Sequence, residues 1–426
     1  MSEIDQNIVA AGPVDLEALD GCHVPRIAIV AFCETEAAAD TITAAANDRR
    51  MTRASVDVRV GGISRAIEFY RETPSPDLLI LESQAASGEL LSALEGLAEV
   101  CDPGTKVMVV GASNDVMLYR QLFDRGIADY LAGPVSQPAV IAAIGRIYRD
   151  SGPKKLGKTC AFVGAKGGVG ASTMAHNVAW AVSGELGSDV VLADMDLPFG
   201  TAGLDFNIDT EQGIAEAIGD SGRLDEMLLD RLLVKCNDHL SLLAAPAVLG
   251  RSYDFDEEAF DKMLEIARAH VPTVVLDMPH VWTGWARRTL ISADEVVIVA
   301  EPDLANLRNA KSLVEFLTQA RPNDAPPKLI LNRVGMPKRP EIKPAEFAAA
   351  LRLEPTAQIA FAPAVFGAAA NKGQMVADTS AKSPAIGAFL DVARSIAGRS
   401  DMKGRRKGSL GAKLLTLLTG RQPAAA

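Results

Sequence analysis

Thr159-Cys160-Ala161-Phe162-Val163-Gly164-Ala165-Lys166-Gly167-Gly168-Val169-Gly170-Ala171-Ser172-Thr173 is the stretch on which the fold turns. It opens as a short apolar run fit for a buried strand, passes through a glycine cluster, and continues from Ser172 to Val182 with apolar residues at helical spacing. Strand, glycine loop and helix in that order make a cradle for phosphate. The glycines let backbone N–H groups approach an anion, and the first helical turn adds unpaired N–H groups and a favourable dipole. The usual form of such a loop is Gly, four residues, Gly-Lys-Ser/Thr, with the lysine on the β- and γ-phosphates and the hydroxyl on Mg²⁺. Here Ala165 stands at the first glycine and Ala171 at the lysine, while Lys166, Gly167, Gly168, Val169, Gly170, Ser172 and Thr173 complete the loop. Removing that point charge takes away transition-state stabilisation more than cradling, so binding should persist and turnover should fall.

Two strand ends supply carboxylates to the same region. Val190–Ala193 runs into Asp194-Met195-Asp196, and Thr273–Leu276 runs into Asp277. At the C-terminal ends of parallel strands, acidic residues sit over the ligand crevice, where they can hold Mg²⁺ through water or orient a water for attack.

Outward from this core, short apolar runs alternate with amphipathic stretches from Arg26 to Asp150, giving five strands and five helices. That is the order of a flavodoxin-like doubly wound domain. The expected organisation is an arm at 1–24, this domain at 25–150, a Gly/Pro/Lys linker at 151–158, a nucleotide domain at 159–398 and a basic tail at 399–426. The fold class is α/β: two doubly wound three-layer domains, the second with a mostly parallel sheet. The chain has 426 residues, 48% of them hydrophobic, enough for two cores. No run of 18 or more apolar residues is present and the N-terminal stretch is acidic, which points to the cytoplasm. The five cysteines show no metal-ligand spacing. A net charge of −11 disfavours DNA as a partner of the body of the protein.

The first domain resembles the receiver domains of two-component signalling with every chemical position changed. Ala31 and Phe32 stand at the acidic positions, Glu82 at the phosphoacceptor, Gly111 at the Thr/Ser, and Ala132-Gly133-Pro134 at the Lys-Pro motif. The resemblance implies a pseudo-receiver that does not accept phosphate and serves docking or dimerisation. Glu82 reads either as a permanently charged imitation of the acceptor or as a plain strand-end carboxylate.

The second domain resembles the deviant-Walker ATPases of the MinD/ParA superfamily, which position cell-division, chromosome or envelope machinery. Lys166 matches the signature lysine that reaches across a dimer to the partner's phosphates, and Asp194, Asp196 and Asp277 match the acidic motifs. Asn332-Arg333 matches the adenine-reading strand end, and Pro363 with Asn371-Lys372-Gly373 matches the loop over the base. The loop, the stretch DMDLPFGTAGLDFNID and the receiver-like domain in front resemble, more narrowly, the TadZ/CpaE group of pilus-assembly proteins. In that group the second loop lysine is often absent. The resemblance implies ATP and Mg²⁺ as cofactors, with Ser172 a direct Mg²⁺ ligand, Asp194 and Asp277 on the metal side, and Asp196 orienting water. It also implies a nucleotide-stabilised homodimer with weak or no hydrolysis, working with Flp-type (Tad) pilus components at a cell pole or on the inner membrane. The alternative is an active MinD/ParA-like ATPase for intracellular positioning or DNA partitioning.

Glu301–Asn306 reads either as a source of contacts to a partner protomer or as an ordinary loop capped by Asp303. Trp282, Trp285, Arg287 and Arg288 read either as a partner surface or as packing. In the tail, Arg399, Lys403, Arg405, Arg406, Lys407, Lys413 and Arg421 face only Asp401, and Leu410, Leu414, Leu417 and Leu418 share one helical face. A basic cluster before an apolar face fits an anionic membrane surface. A docking helix for a pilus component and an unstructured basic end fit it as well.

Overall fold

A computed structural model describes residues 19, 22, 24–149, 156–209, 212–219, 223–246, 248–250 and 253–397. The expected tail, residues 151–155 of the expected linker and most of the expected arm lie outside the described residues. The chain divides into two compact units. The first runs to Leu156 and takes in Phe316–Ala325, and the second comprises Gly157–Glu315 and the chain from Pro326.

The first unit alternates β1 (Ala28–Cys33), α1 (Glu36–Ala46), β2 (Ser55–Val60), α2 (Gly62–Tyr70), β3 (Leu78–Ser83) and α3 (Ser87–Ala98). It continues through β4 (Lys106–Gly111), α4 (Val116–Asp124), β5 (Asp129–Ala132) and α5 (Gln137–Arg149). The parallel sheet has the order β2-β1-β3-β4-β5, the doubly wound arrangement expected from the sequence. Because both faces are covered, successive residues of β3 enter opposite cores. Leu78 and Ile80 pack with Ile42 and Ile141, whereas Leu79 and Leu81 pack with Ile63, Leu94 and Leu122. Leu19 and Val24, inside the stretch expected as an arm, are buried in the first of these cores, and the Val24 N–H donates to the Arg50 carbonyl at 3.1 Å.

Glu82 is buried and fully engaged. Its Oε2 accepts from the N–H groups of Glu34 and Thr35 at 2.8 Å each, and its Oε1 from the Thr35 hydroxyl at 2.7 Å. A carboxylate tying down the β1–α1 turn is the plainer of its two readings. At Gly111 a side chain would collide with the Tyr130 ring, whose hydroxyl donates to the Ser113 carbonyl at 2.6 Å. The space over Gly111 is therefore filled by an aromatic side chain from the neighbouring strand.

The second unit opens with β6 (Lys158–Gly164), α6 (Ala171–Gly184), β7 (Val190–Asp194), α7 (Ala202–Asp205), α8 (Ile214–Gly219) and α9 (Glu226–Leu232). Then come β8 (Val234–Lys235), β9 (Leu240–Leu243), α10 (Asp261–His270), β10 (Thr273–Asp277), α11 (Gly284–Ser292), β11 (Glu295–Ala300) and α12 (Leu304–Ala320), whose last residues from Phe316 fall in the first unit. It closes with β12 (Lys328–Val334), α13 (Pro344–Leu351), β13 (Pro355–Ala360), α14 (Pro363–Ala370), α15 (Val376–Thr379) and α16 (Pro384–Ile396). Sheet order is β13-β12-β11-β6-β10-β7-β9-β8, parallel except for the β8–β9 pair. After β6 the chain moves to one side of the sheet, returns to β10 beside β6, and then crosses to β11 on the other side. The end of β6 is thus the switch point, where an open α/β sheet leaves a crevice for a ligand.

Candidate nucleotide site

The backbone of the loop explains its glycines. A side chain at Gly164 would meet the Lys166 carbonyl at 2.8 Å and Val169 at 2.9 Å. Gly170, the residue before α6, has φ +87° and lies so close to Asn332 that a Cβ would stand 2.7 Å from its Nδ2. Gly168, at φ +79°, has nothing among the described residues within 4 Å of the same position, which leaves room at the tip of the loop. Side chains from neighbouring strands and helices brace the loop. Asn309 donates to the Ala165 carbonyl at 2.9 Å, Asn332 donates to the Val169 carbonyl at 2.8 Å, and His280 lies 3.1 Å from the Gly164 carbonyl. Ala165 itself donates its N–H to Val299 at 2.8 Å and so belongs to the sheet. Lys166 is exposed, and Ser172 and Thr173 are half-buried in the first turn of α6.

Strand register brings the acidic residues together. Asp277 pairs with Asp194 across β10 and β7, and with Phe162 across β10 and β6. Asp194 is wholly buried, with Oδ1 accepting from the Asp196 N–H and Oδ2 from the Ala202 N–H, each at 3.1 Å. Burial first, and then the neighbouring Asp277, push its pKa up to about 7, against the opposing pull of His176 and the two N–H groups. Asp196 is half-buried and accepts the Phe199 N–H at 3.2 Å; burial raises its pKa.

Asp277 has a partner that the sequence reading passed over. Its Oδ2 lies 3.1 Å from Nε2 of His176, a fully buried residue of α6, and the other ring nitrogen, Nδ1, lies 2.8 Å from Oδ2 of Asp205. Burial alone would lower the histidine pKa, but the hydrogen bonds to Asp205 and Asp277 outweigh it and hold it at about 10. With carboxylates at both ends, both ring nitrogens donate. Asp277 Oδ1 is buried and has no hydrogen-bond partner among the described residues. The signal for His176 in the sequence was an ionisable residue in the middle of an apolar helical run. Its partners, 29 and 101 residues away, could not be read from spacing.

Beside the loop lies a cavity of about 350 Å³. Of the expected nucleotide residues, Gly170, Thr173, Asn332, Arg333 and Pro363 line it, with Phe361, Phe366 and Met375 as apolar wall and Asp205 at its edge. Arg333 is held by Glu301 at 2.7 Å. Asp303 caps α12 by accepting the Asn306 N–H at 2.8 Å, in keeping with the simpler reading of that segment. Burial raises the Asp303 pKa, but Asn306, Lys166 and Arg339 outweigh it and leave the carboxyl below its usual range. The Trp282–Arg288 group divides. Trp285 is buried and stacks on Phe260 with centroids 4.6 Å apart, Arg288 pairs with Asp261 at 2.7 Å, and Trp282 is exposed.

A family model described as an AAA domain matches residues 157–329. The septum site-determining protein MinD of Synechocystis sp. is 31% identical over 36% of this chain and 56% of its own length, so the chain spans little more than half of that relative. The crystal structure of a ParA family ATPase from Chlorobium tepidum is 26% identical, covers 55% of this chain and 98% of its own, and has a TM-score of 0.51. The crystallised pilus assembly protein CpaE from Caulobacter crescentus is 47% identical over 30% of this chain and 96% of its own, with a TM-score of 0.29. In its strand, braced glycine loop and helix, with two aspartates in register behind them, the second unit resembles the MinD and ParA family ATPases among these relatives.

Proposed function

We propose that the protein is an ATP-binding positioning and assembly factor for a Flp-type (Tad) pilus system, acting as a nucleotide-stabilised homodimer with weak or no hydrolysis. The observation that carries this reading is a braced glycine loop, with room at its tip and next to a 350 Å³ cavity, with Ala171 where a lysine would supply charge. The residues present suit Mg-ATP. The loop has room at Gly168, the cavity wall is apolar enough for a base, and Asp277 Oδ1 is a buried acceptor in want of a donor. Among the described residues no three His, Cys, Asp or Glu side chains converge on a metal position, so Mg²⁺ would share its shell with phosphate oxygens and water.

In this reading the backbone from Lys166 to Thr173 holds the phosphates, with Ala165 anchoring the loop to the sheet. Ser172 ligates the ion, Asp194 and Asp277 act behind it through water, and Asp196 orients a water. Thr173, Asn332, Arg333 and Pro363 receive the base and ribose, Asn332 with the N–H not used on Val169. Bound Mg²⁺ supplies charge neutralisation on the phosphates. Lys166 reaches a second protomer. The Caulobacter relative's description as a pilus assembly protein supports the pilus assignment, and placement at a pole or on the inner membrane belongs to the same proposal. No helix among the described residues is long and apolar enough to cross a membrane.

Light scattering with ATP, ADP or no nucleotide, with phosphate release followed in the same sample, tests the reading. A dimer with ATP alone is expected, with release well under about 1 per second, and Lys166→Ala should abolish the dimer. Fast release would favour the active-ATPase reading, and failure to bind either nucleotide would remove both.

A further inference from the structure

The α6 sequence places a histidine out of reach of solvent, with both of its nitrogens engaged by carboxylates of different surroundings. Asp205, on α7, lines the cavity and its side chain is 23% exposed. Asp277, at the end of β10, is buried with one oxygen committed to His176 and the other without a hydrogen-bond partner among the described residues. Phe206, the residue after Asp205, packs near the histidine ring with centroids 5.9 Å apart and near Trp180 at 6.1 Å, so aromatic packing hems the ring in.

We propose that His176 is a positioning residue: its ring spans from Asp205 at the cavity edge to Asp277 at the strand end, and holds Asp277 so that Oδ1 alone is presented to a metal-bound water. This rests on the nucleotide-binding reading above and adds to it a physical link between the wall of the base cavity and the metal-side carboxylate. A carboxylate buried without its donor would rotate or take up a proton, and in either state it is a poorer acceptor for a metal-bound water. Mg²⁺ should therefore strengthen nucleotide binding through His176, and nucleotide binding without Mg²⁺ should not need the histidine–Asp277 bond.

The two amide replacements separate the two ends of the ring. In His176→Gln the side-chain amide falls near Nε2 and can still donate to Asp277. In His176→Asn it falls near Nδ1 and can reach only Asp205. The affinity of full-length protein for a fluorescent N-methylanthraniloyl-ADP, measured with MgCl₂ and with EDTA, gives the Mg²⁺ enhancement as a ratio. His176→Asn should lose about tenfold or more of that ratio, as outer-shell metal partners do, with the EDTA affinity unchanged. His176→Gln should keep most of it. Asp205→Asn, at a partly exposed position, should lose an intermediate share. An unchanged or increased ratio in His176→Asn and Asp205→Asn overturns the inference. Absence of nucleotide binding by the unsubstituted protein overturns the functional reading itself and the inference with it.

Discussion

Ala171 begins α6 where the usual loop carries its lysine, and Gly167, Gly168, Gly170 and Ser172 of the cradle are kept. Ala171→Lys should therefore raise phosphate release, on the order of ten- to a hundredfold, with little change in ADP affinity; equal release rates would show that turnover is limited elsewhere. Gly170 is constrained twice, by φ +87° and by Asn332, so Gly170→Ala should cost about 1–3 kcal/mol in denaturant unfolding. His176 carries a pH signature. A histidine whose folded pKa is raised contributes stability that is complete below its free value near 6.5 and is lost as pH rises through about 10. The melting-temperature gap between the unsubstituted protein and His176→Asn should thus narrow from pH 7 to pH 10.5, and a constant gap would mean that the ring is not charged.

At the scale of elements, the same device recurs in both units: a buried polar side chain on one strand ties the βα turn that follows another strand of its sheet. Glu82 on β3 holds the turn after β1, and Asn332 on β12 holds the loop after β6. Glu82→Ala leaves the N–H groups of Glu34 and Thr35 without their acceptor inside the unit and should cost about 2–4 kcal/mol of stability. A permanently charged acceptor would instead show normal stability and a functional defect. The alternation of five strands and five helices in the first unit was readable from the sequence. That Glu82 is consumed by hydrogen bonds and that Tyr130 occupies the space over Gly111 were not, because both depend on parallel pairing between strands distant in the chain.

For the whole molecule, two units with separate cores should respond separately to ligand. Saturating Mg-ADP, at about a hundredfold over its Kd, should raise the unfolding transition of the second unit by roughly 5–10 °C and leave that of the first in place. Calorimetry of the full chain measures this; a single transition moving as one would show that the units unfold together. The exposed Trp282, following the β10 strand end, offers a fluorescence probe for the second unit.

Local pattern determined most of what the sequence decided. Continuous apolar runs between amphipathic stretches specify buried parallel strands and their helices, and a strand–glycine–helix succession with strand-end aspartates specifies where an anion would sit. Those signals need only neighbouring residues, since periodicity and backbone freedom are local properties. Tertiary structure alone decided which polar groups are already satisfied. Ala165 is committed to the sheet, Asn332 to the loop, and Asp277 to His176, whose second nitrogen is committed to Asp205. Hydrogen bonds between residues up to 163 positions apart are set by sheet register and helix packing, and no spacing along the chain encodes them.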